Sequence, residues 1–304
     1  MTTMTKSLSR PAGYKTPWEK ARPYVYILPA LIFLGLFTVY PVIDMIIRSF
    51  QKWNLVTAPT WVGIKNYDYI FKRKEFREAI VHTITYAIFV VGLGLSISTL
   101  FAVWLSKSTF MNNLTRTVMF MPHVIALISV AMVWAWIMNK NNGLLNMVLN
   151  FFGLPSLKWA DSADTAMMSI IIVALWKAIG YNTMLIYAAI QNVPRELYEA
   201  ADLDNANAVK KFFKITLPMI SPQMFMLLIT ATTGSFRVFD TVRVMTHGGP
   251  GTSTQVLVYY IYEQAFVLNN KVGYAFAAAV VLMLMIGVLT LAYFRVLSKR
   301  VHYQ

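Results

Sequence analysis

Four histidines, at positions 82, 123, 247 and 302, stand far apart along the chain, and no carboxylates gather near any of them. The patterns H-E-x-x-H and G-x-S-x-G are missing, so neither a metal-activated water nor an elbow-mounted serine nucleophile is on offer. G-x-x-x-x-G-K-[ST] is missing too, and the chain cannot cradle nucleotide phosphates by that device. Any energy source must therefore come from a bound partner, where ATP and Mg would then sit, from an ion gradient, or not at all. Zero cysteines exclude a disulfide framework, a thiolate metal site and a cysteine nucleophile. The 18 methionines read as flexible apolar packing rather than as metal ligands. No catalytic residue, cofactor or metal is therefore expected in this chain, and the chemistry within its reach is noncovalent.

That chemistry sits where it is costly. Lys177 falls near the middle of a long apolar stretch, where an ionised lysine costs about 2.5–3.5 kcal/mol on insertion scales. Tyr181 is one turn further on and shares its face, with Asn182 adjacent. The trio reads either as the lining of a solute path or as a lysine paired structurally. A second stretch carries Gln223, Thr230, Thr232, Thr233, Ser235, Arg237 and Asp240. Thr232, Ser235 and Phe236 offer hydroxyls and an aromatic platform to a polar solute. The competing reading is interhelical hydrogen bonding, and Arg237 and Asp240, three apart, are spaced to pair.

The elements that hold these residues follow from composition. Of 304 residues, 57% are apolar, more than a water-soluble fold can hide. Apolar windows run at about Tyr24–Ile47, Ile80–Leu105, Val118–Met138, Ala166–Ile190, Met219–Phe239 and Val272–Phe294, each long enough to cross a bilayer as a helix. In lipid a helix is the only open-chain way to satisfy every backbone amide. The fold class is all-α, a polytopic membrane bundle of about six transmembrane helices. Residues 1–23 read as a cytoplasmic N-terminal segment, 24–294 as the membrane domain and 295–304 as a cytoplasmic tail. The first window begins too late and runs too long for a cleavable signal peptide.

The formal charge of +14 raises nucleic acid as a partner, but the basic residues are cut apart by the apolar windows and form no continuous face. No nucleic acid is expected; membrane lipid is. With both termini cytoplasmic, the inner segments hold 14 Lys and Arg in 72 residues and the outer ones 11 in 92. Seven of those eleven lie in 48–79, where Tyr67, Ile70, Phe71 and Phe76 recur at helical spacing among basic residues. This outer segment reads as an interfacial amphipathic helix.

Between the fourth and fifth windows lies a loop, 192–218, too patterned to be a mere connector. Pro194 suits the first turn of a helix, and Glu196 and Glu199 complement its dipole. Leu197, Ala200 and Ala201 follow as an apolar stripe with small members. Asp204-Asn205 should break the helix, because asparagine tolerates the left-handed conformation that closes one. A second short helix, Ala206 to Lys214, then offers Phe212, Phe213 and Ile215 for packing on the bundle, and Pro218 opens the fifth crossing. On physics alone, this helix–turn–helix is either an insert for a groove on a partner or a connector lying on headgroups.

The stretch resembles the E-A-A-x-x-x-G-x9-I-x-L-P loop of the membrane subunits of binding-protein-dependent ABC importers. The matches are Glu199, Ala200, Ala201, Ile215, Leu217 and Pro218, with Asn205 where the family has glycine. Tyr40-Pro41, Met121-Pro122, Gly143-Leu-Leu-Asn146, Trp176-Lys177, Tyr181-Asn182 and Thr246-His-Gly-Gly-Pro250 extend the likeness to carbohydrate permeases of the maltose and glycerol-3-phosphate type. The resemblance implies a coupling loop, seated through Glu199, Ala200, Ala201, Asp202 and Asn205 on an ATPase. It further implies a second homologous permease, two ATP-binding subunits, an extracytoplasmic solute-binding protein, a sugar or oligosaccharide substrate and a place in the bacterial inner membrane. By the same resemblance, Gly248-Gly249-Pro250-Gly251 helps to receive the binding protein, with a plain outer turn as the other reading. The rivals are an importer of a non-sugar solute and an ion-coupled secondary transporter, for which intramembrane carboxylates would be expected.

Overall fold

The computed structural model describes residues 17–107, 109–268 and 271–296. Most of the expected N-terminal segment, most of the C-terminal tail and His302 lie outside the described residues. The chain divides into two compact units, residues 1–47 and 48–304. Four helices are long and apolar enough to cross a membrane, and two bent helix pairs bring the number to six if each pair is one span.

The first unit is helix α1, which passes through Pro17–Leu34, a π-turn at Gly35–Val39 and Tyr40–Ser49. None of its described side chains in the first unit is buried. Tyr40-Pro41 does not close it. Proline removes one i→i−4 bond and crowds the preceding turn, and here the turn before it is widened, with the Tyr40 N–H reaching back to Gly35 O. The helix therefore runs through its proline.

The second unit opens with a short antiparallel hairpin, β1 Gln51–Lys52 on β2 Thr60–Trp61, and then α2, Lys65–Lys72. Within the expected interfacial segment 48–79 the helical stretch is divided, with a break at Arg73 between α2 and the next helix. Ile70 and Phe76 are fully buried, Tyr69 stacks on Tyr274 at 4.1 Å, and α3 begins at Lys74 and runs unbroken to Trp104. Ile70 and Phe76 of the apolar stripe therefore pack on protein, while Phe71 is 47% exposed.

The third window is broken. Helix α4, Phe110–Val124, and α5, Leu127–Ile137, meet at 102°, with Ile125 and Ala126 extended between them. Pro122 lies inside α4 near its end. A short helix, α6 (Leu144–Phe151), leads to α7, Ala163–Gln191, the straight fourth span. Helices α8, Arg195–Leu203, and α9, Ala208–Met219, follow, and α10, Ser221–Phe236, leaves α9 at Ile220 through a 69° bend. Pro218 does not open the fifth crossing. Like Pro41 it stands two residues beyond a π-turn, here Phe212–Thr216, and the helix passes through it. Helix α11, Asp240–Met245, α12, Leu257–Tyr262 extended by a π-turn at Glu263–Val267, and α13, Val272–Val296, complete the chain.

Small residues set the helix spacing on α13, where Ala275, Ala277 and Ala278 are buried. Gly94 meets Leu175 in ordinary contact, whereas Gly92 faces open space. Asn146 anchors the α5–α7 connection. Its amide donates to Lys140 O (3.0 Å) and Leu157 O (2.9 Å), and its Oδ1 accepts from Leu157 N (3.0 Å) and Trp159 Nε1 (2.8 Å). All four of its hydrogen-bonding positions are filled at 2% exposure. Asn146→Leu strands these partners, each at about 1–3 kcal/mol, so the purified protein should unfold several degrees lower in a thermal ramp. An unchanged transition would show that the loop does not depend on this residue.

Candidate functional site

Two cavities divide the residues expected to line a path. The first, of about 400 Å³, is enclosed by α3, the α4–α5 bend, α7 and α10, and it receives Lys177, Tyr181, Asn182 and Ser235. The second, of about 750 Å³ and almost wholly apolar, lies among α2, α3, α10 and α13 and receives Thr232 and Phe236. The expected hydroxyl-and-aromatic platform is therefore split. Positions 232 and 236 share one helix face while 235 turns away. Thr232 faces the Tyr293 hydroxyl at 3.3 Å, and Phe236 belongs to the buried cluster with Phe76 and Tyr260.

Lys177 is halfway along α7. Its Nζ donates to the carbonyls of Pro122 (3.1 Å), His123 (3.2 Å) and Ile125 (2.5 Å). These belong to the C-terminal end of α4 and the bend beyond it, where helical carbonyls lack intrahelical donors. A cation there also complements the helix dipole. The next turn of α7 completes the clamp. The Tyr181 ring stacks on His123 at 4.2 Å and 12°, and a Cβ on Gly180 would lie 1.6 Å from Met119 O. Only glycine lets the two helices touch there. Lys177 thus serves the bend while also lining the first cavity.

The sequence reading gave His123 no chemistry and missed Gly180 and Arg116. A lone glycine inside an apolar helix carries a cost of about 1 kcal/mol against alanine, which is itself a signal of close packing. Arg116, counted with an inner loop, is buried on α4 with its guanidinium 4.0 Å from the Tyr187 ring centroid. Arg237 and Asp240, expected to pair, form no ion pair; both face the first cavity.

The 192–218 segment is two rods and a turn. Helix α8 buries none of its residues. Asn205 adopts φ +52°, the left-handed conformation expected where the related loops carry glycine. Asn207 caps α9 by accepting from Lys210 N at 2.8 Å. Two ties cross between the rods: Tyr198 Oη with Thr216 Oγ1 at 2.9 Å, and Lys211 donating to Asp202. Glu199, Ala200, Asp202 and Asn205 are exposed and Ala201 half-buried, while Ile215, Leu217 and Pro218 are half-buried at the root. Ile215 packs against the cluster of Ile186, Val193 and Ile220. Phe213, expected on the bundle, is 59% exposed, because the π-turn redirects it.

With this geometry in place, comparison with known proteins identifies the group. The description "Binding-protein-dependent transport system inner membrane component" fits residues 91–303. The chain belongs to that family. It is similar to the arabinooligosaccharides transport system permease protein AraP of Halalkalibacterium halodurans, at 37% identity over 90% of this chain and 86% of that one. It is similar also to the sn-glycerol-3-phosphate transport system permease protein UgpA of Escherichia coli, at 32% identity over 98% of this chain and 100% of that one. Its fold matches a chain of a bacterial alginate ABC transporter, solved in complex with an alginate pentasaccharide-bound periplasmic protein, with a TM-score of 0.81, 22% identity and coverage of 92% and 96%. As a family member it is a transport component of the inner membrane that works with a solute-binding protein.

Beyond α11, the Gly248–Pro250 turn is built rather than slack. Thr246 and Thr254 share a hydroxyl contact of 2.8 Å, and Thr254 donates to Gly249 O at 2.9 Å. Gln255, next to it, donates to the Glu263 carboxylate. Burial holds that carboxyl above its ordinary range, opposed by the Gln255 bond and the Arg243 charge. A raised carboxyl keeps its proton longer in the folded state, so stability is greatest below the unfolded value and falls as pH rises through the folded one. Glu263→Gln should flatten that acid-side dependence in thermal melts; an unaltered pH profile would remove Glu263 as its source.

The bend gives a second expectation. Lys177→Met leaves three carbonyls without their donor and should lower the unfolding temperature by several degrees, whereas Lys177→Arg should recover much of the loss. Equal stability of wild type and the methionine variant would show that the clamp does not rest on the ammonium.

Proposed function

We propose that this chain is one of two homologous permeases of an ATP-driven importer for a sugar or oligosaccharide, with two copies of an ATP-binding subunit beneath it. In this reading both termini and the 192–218 loop are cytoplasmic, and the Gly248–Pro250 turn faces the solute-binding protein. The sugar class is supported by relatives named for arabinooligosaccharides and for glycerol 3-phosphate. No bond in the solute is made or broken here.

One observation carries the coupling role: a helix–turn–helix with an exposed tip of small and acidic residues, cross-tied so that it moves as one body. A lever transmits ATP-driven closure only if it is stiff and makes different contacts in the two states. Exposed Leu203, at 86%, and Val209, at 65%, flank Glu199, Ala200 and Ala201 as apolar surface for the ATPase cleft. The half-buried Ile215, Leu217 and Pro218 seat the lever in the bundle. The polar cavity beside the α4–α5 bend is this subunit's share of the path, lined by Tyr181, Asn182 and Ser235.

Glu199→Lys reverses the charge of an exposed tip residue that supports no internal contact. The variant should insert and fold as wild type but lose co-purification with the ATP-binding subunit and lose uptake. Full uptake and association in Glu199→Lys, matching the exposed control Leu291→Ala, would remove the loop from the coupling role.

A further inference from the structure

In the orientation proposed above, segment 48–79 is outside and holds seven of the eleven basic residues there, where a membrane protein ordinarily keeps few. Five of the seven are engaged. Lys72 pairs with Asp68 and Lys74 with Glu78, Arg73 and Arg48 lie over the rings of Tyr69 and Trp53, and Arg77 donates to Phe71 O. Lys52 and Lys65 have no side-chain partner among the described residues, and neither has Lys271 before α13. An exposed ammonium needs no partner in water; what singles out two of these is their place. Lys52 and Lys271 line a cavity of about 470 Å³ between the β1–β2 hairpin and the first turn of α13, together with Asn54, Thr57 and Thr60. Its floor is closely built. A Cβ on Gly273 would lie 2.4 Å from Gln51 O, and Asn66, 3% exposed, donates to Ser49 O (2.8 Å) and Gln51 O (2.9 Å).

Both walls of this cavity stand where the spans stop. The hairpin begins two residues after Ser49, the last residue of α1, and the other wall is the start of α13, a helix of 25 residues. At 1.5 Å per residue α13 is roughly 37 Å long against ~30 Å of hydrocarbon, so its end turns reach into the headgroup layer. The side chains beside the cavity suit that layer. Leu55, Val56, Trp61 and Ile64 are 50%, 83%, 67% and 72% exposed. A purely aqueous surface would leave four large apolar groups in water, whereas the acyl boundary covers them. The hairpin tip is held in this shape, since Asn54 Oδ1 accepts from Val56 N (3.1 Å), Thr57 N (2.9 Å) and Thr57 Oγ1 (2.8 Å). Two ammoniums and two threonine hydroxyls around a polar cavity, flanked by exposed apolar groups, match a phosphate that carries acyl chains. A soluble acidic partner would use the lysines and give Leu55 and Val56 nothing to do.

We propose that Lys52 and Lys271 hold the phosphate of an anionic phospholipid in this cavity, with Leu55, Val56, Trp61 and Ile64 anchoring the hairpin at the acyl boundary. The leaflet, though not the site, rests on the importer orientation above, which makes it the outer one. The test uses the purified full-length chain in detergent, supplied with phosphatidylglycerol or phosphatidylcholine of identical acyl chains, and counts retained lipid by native mass spectrometry. The wild type should retain phosphatidylglycerol in preference. A lysine near an anionic membrane is worth about fivefold in binding, so Lys52→Gln with Lys271→Gln should cut that retention on the order of tenfold. Lys52→Arg with Lys271→Arg should keep it, and so should Lys140→Gln with Lys158→Gln, which removes as much charge from the same side. Equal retention of the two lipids by the wild type, equal losses in the two glutamine pairs, or undiminished retention without Lys52 and Lys271 overturns the site. In the last case, weaker association of the loaded solute-binding protein would assign the cavity to an acidic protein segment instead. The leaflet is read separately. Because the chain has no cysteine, Asp161→Cys supplies its single thiol, which should react with an impermeant maleimide added outside right-side-out vesicles. Reaction only from within overturns the importer orientation and the leaflet, while the lipid counts decide the site.

Discussion

Inside a bilayer no water is at hand to satisfy a backbone carbonyl, and a helix that stops midway exposes several at once. At the bend between α4 and α5 the Lys177 ammonium supplies what water cannot, reaching three of those oxygens from the neighbouring span. Much of the site follows from this contact. It permits a 102° bend, the bend makes room for a polar cavity, and Gly180 and Tyr181 on the same α7 surface fasten α4 alongside. A lysine that would be a liability against lipid becomes the donor that makes an irregular span tolerable.

Proline is handled by a second device. At Pro41 and at Pro218 a π-turn ending two residues earlier widens the helix and absorbs both the missing donor and the crowding of the ring. The consequence for the proposed lever is direct. Because α9 runs through Pro218 without a stop, the loop's second rod continues to Met219 in the root of the fifth span, and the bend is deferred to Ile220. A displacement at the exposed tip would be delivered to α10 through a continuous helix and a single corner. That corner lies at the opposite end of α10 from Arg237 and Asp240, so α10 is the element connecting the proposed coupling surface with the cavity.

The loop, the long spans and the family were legible from local pattern. Glu199, Ala200, Ala201 and Asn205 occupy a surface whose form is set by caps, a turn residue and short-range ties, and each of these is a property of neighbouring residues. The cavity was only half legible. Lys177, Tyr181, Asn182 and Ser235 do meet, yet Thr232 and Phe236, three positions before and one after Ser235, face another cavity. Arg237 and Asp240 have the spacing of an ion pair on an unbroken helix, and the helix is broken between them.

Composition and periodicity by themselves determined that the chain is a helical membrane component, because hydrophobic run length is a fact about the string of residues. Tertiary structure decided where the helices bend, which carbonyls Lys177 answers, and which face of α10 meets which cavity. The reason is one of range. A helix's existence depends on residues three and four apart, whereas the fate of a carbonyl at residue 122 depends on a lysine 55 positions away, and no local pattern announces that meeting.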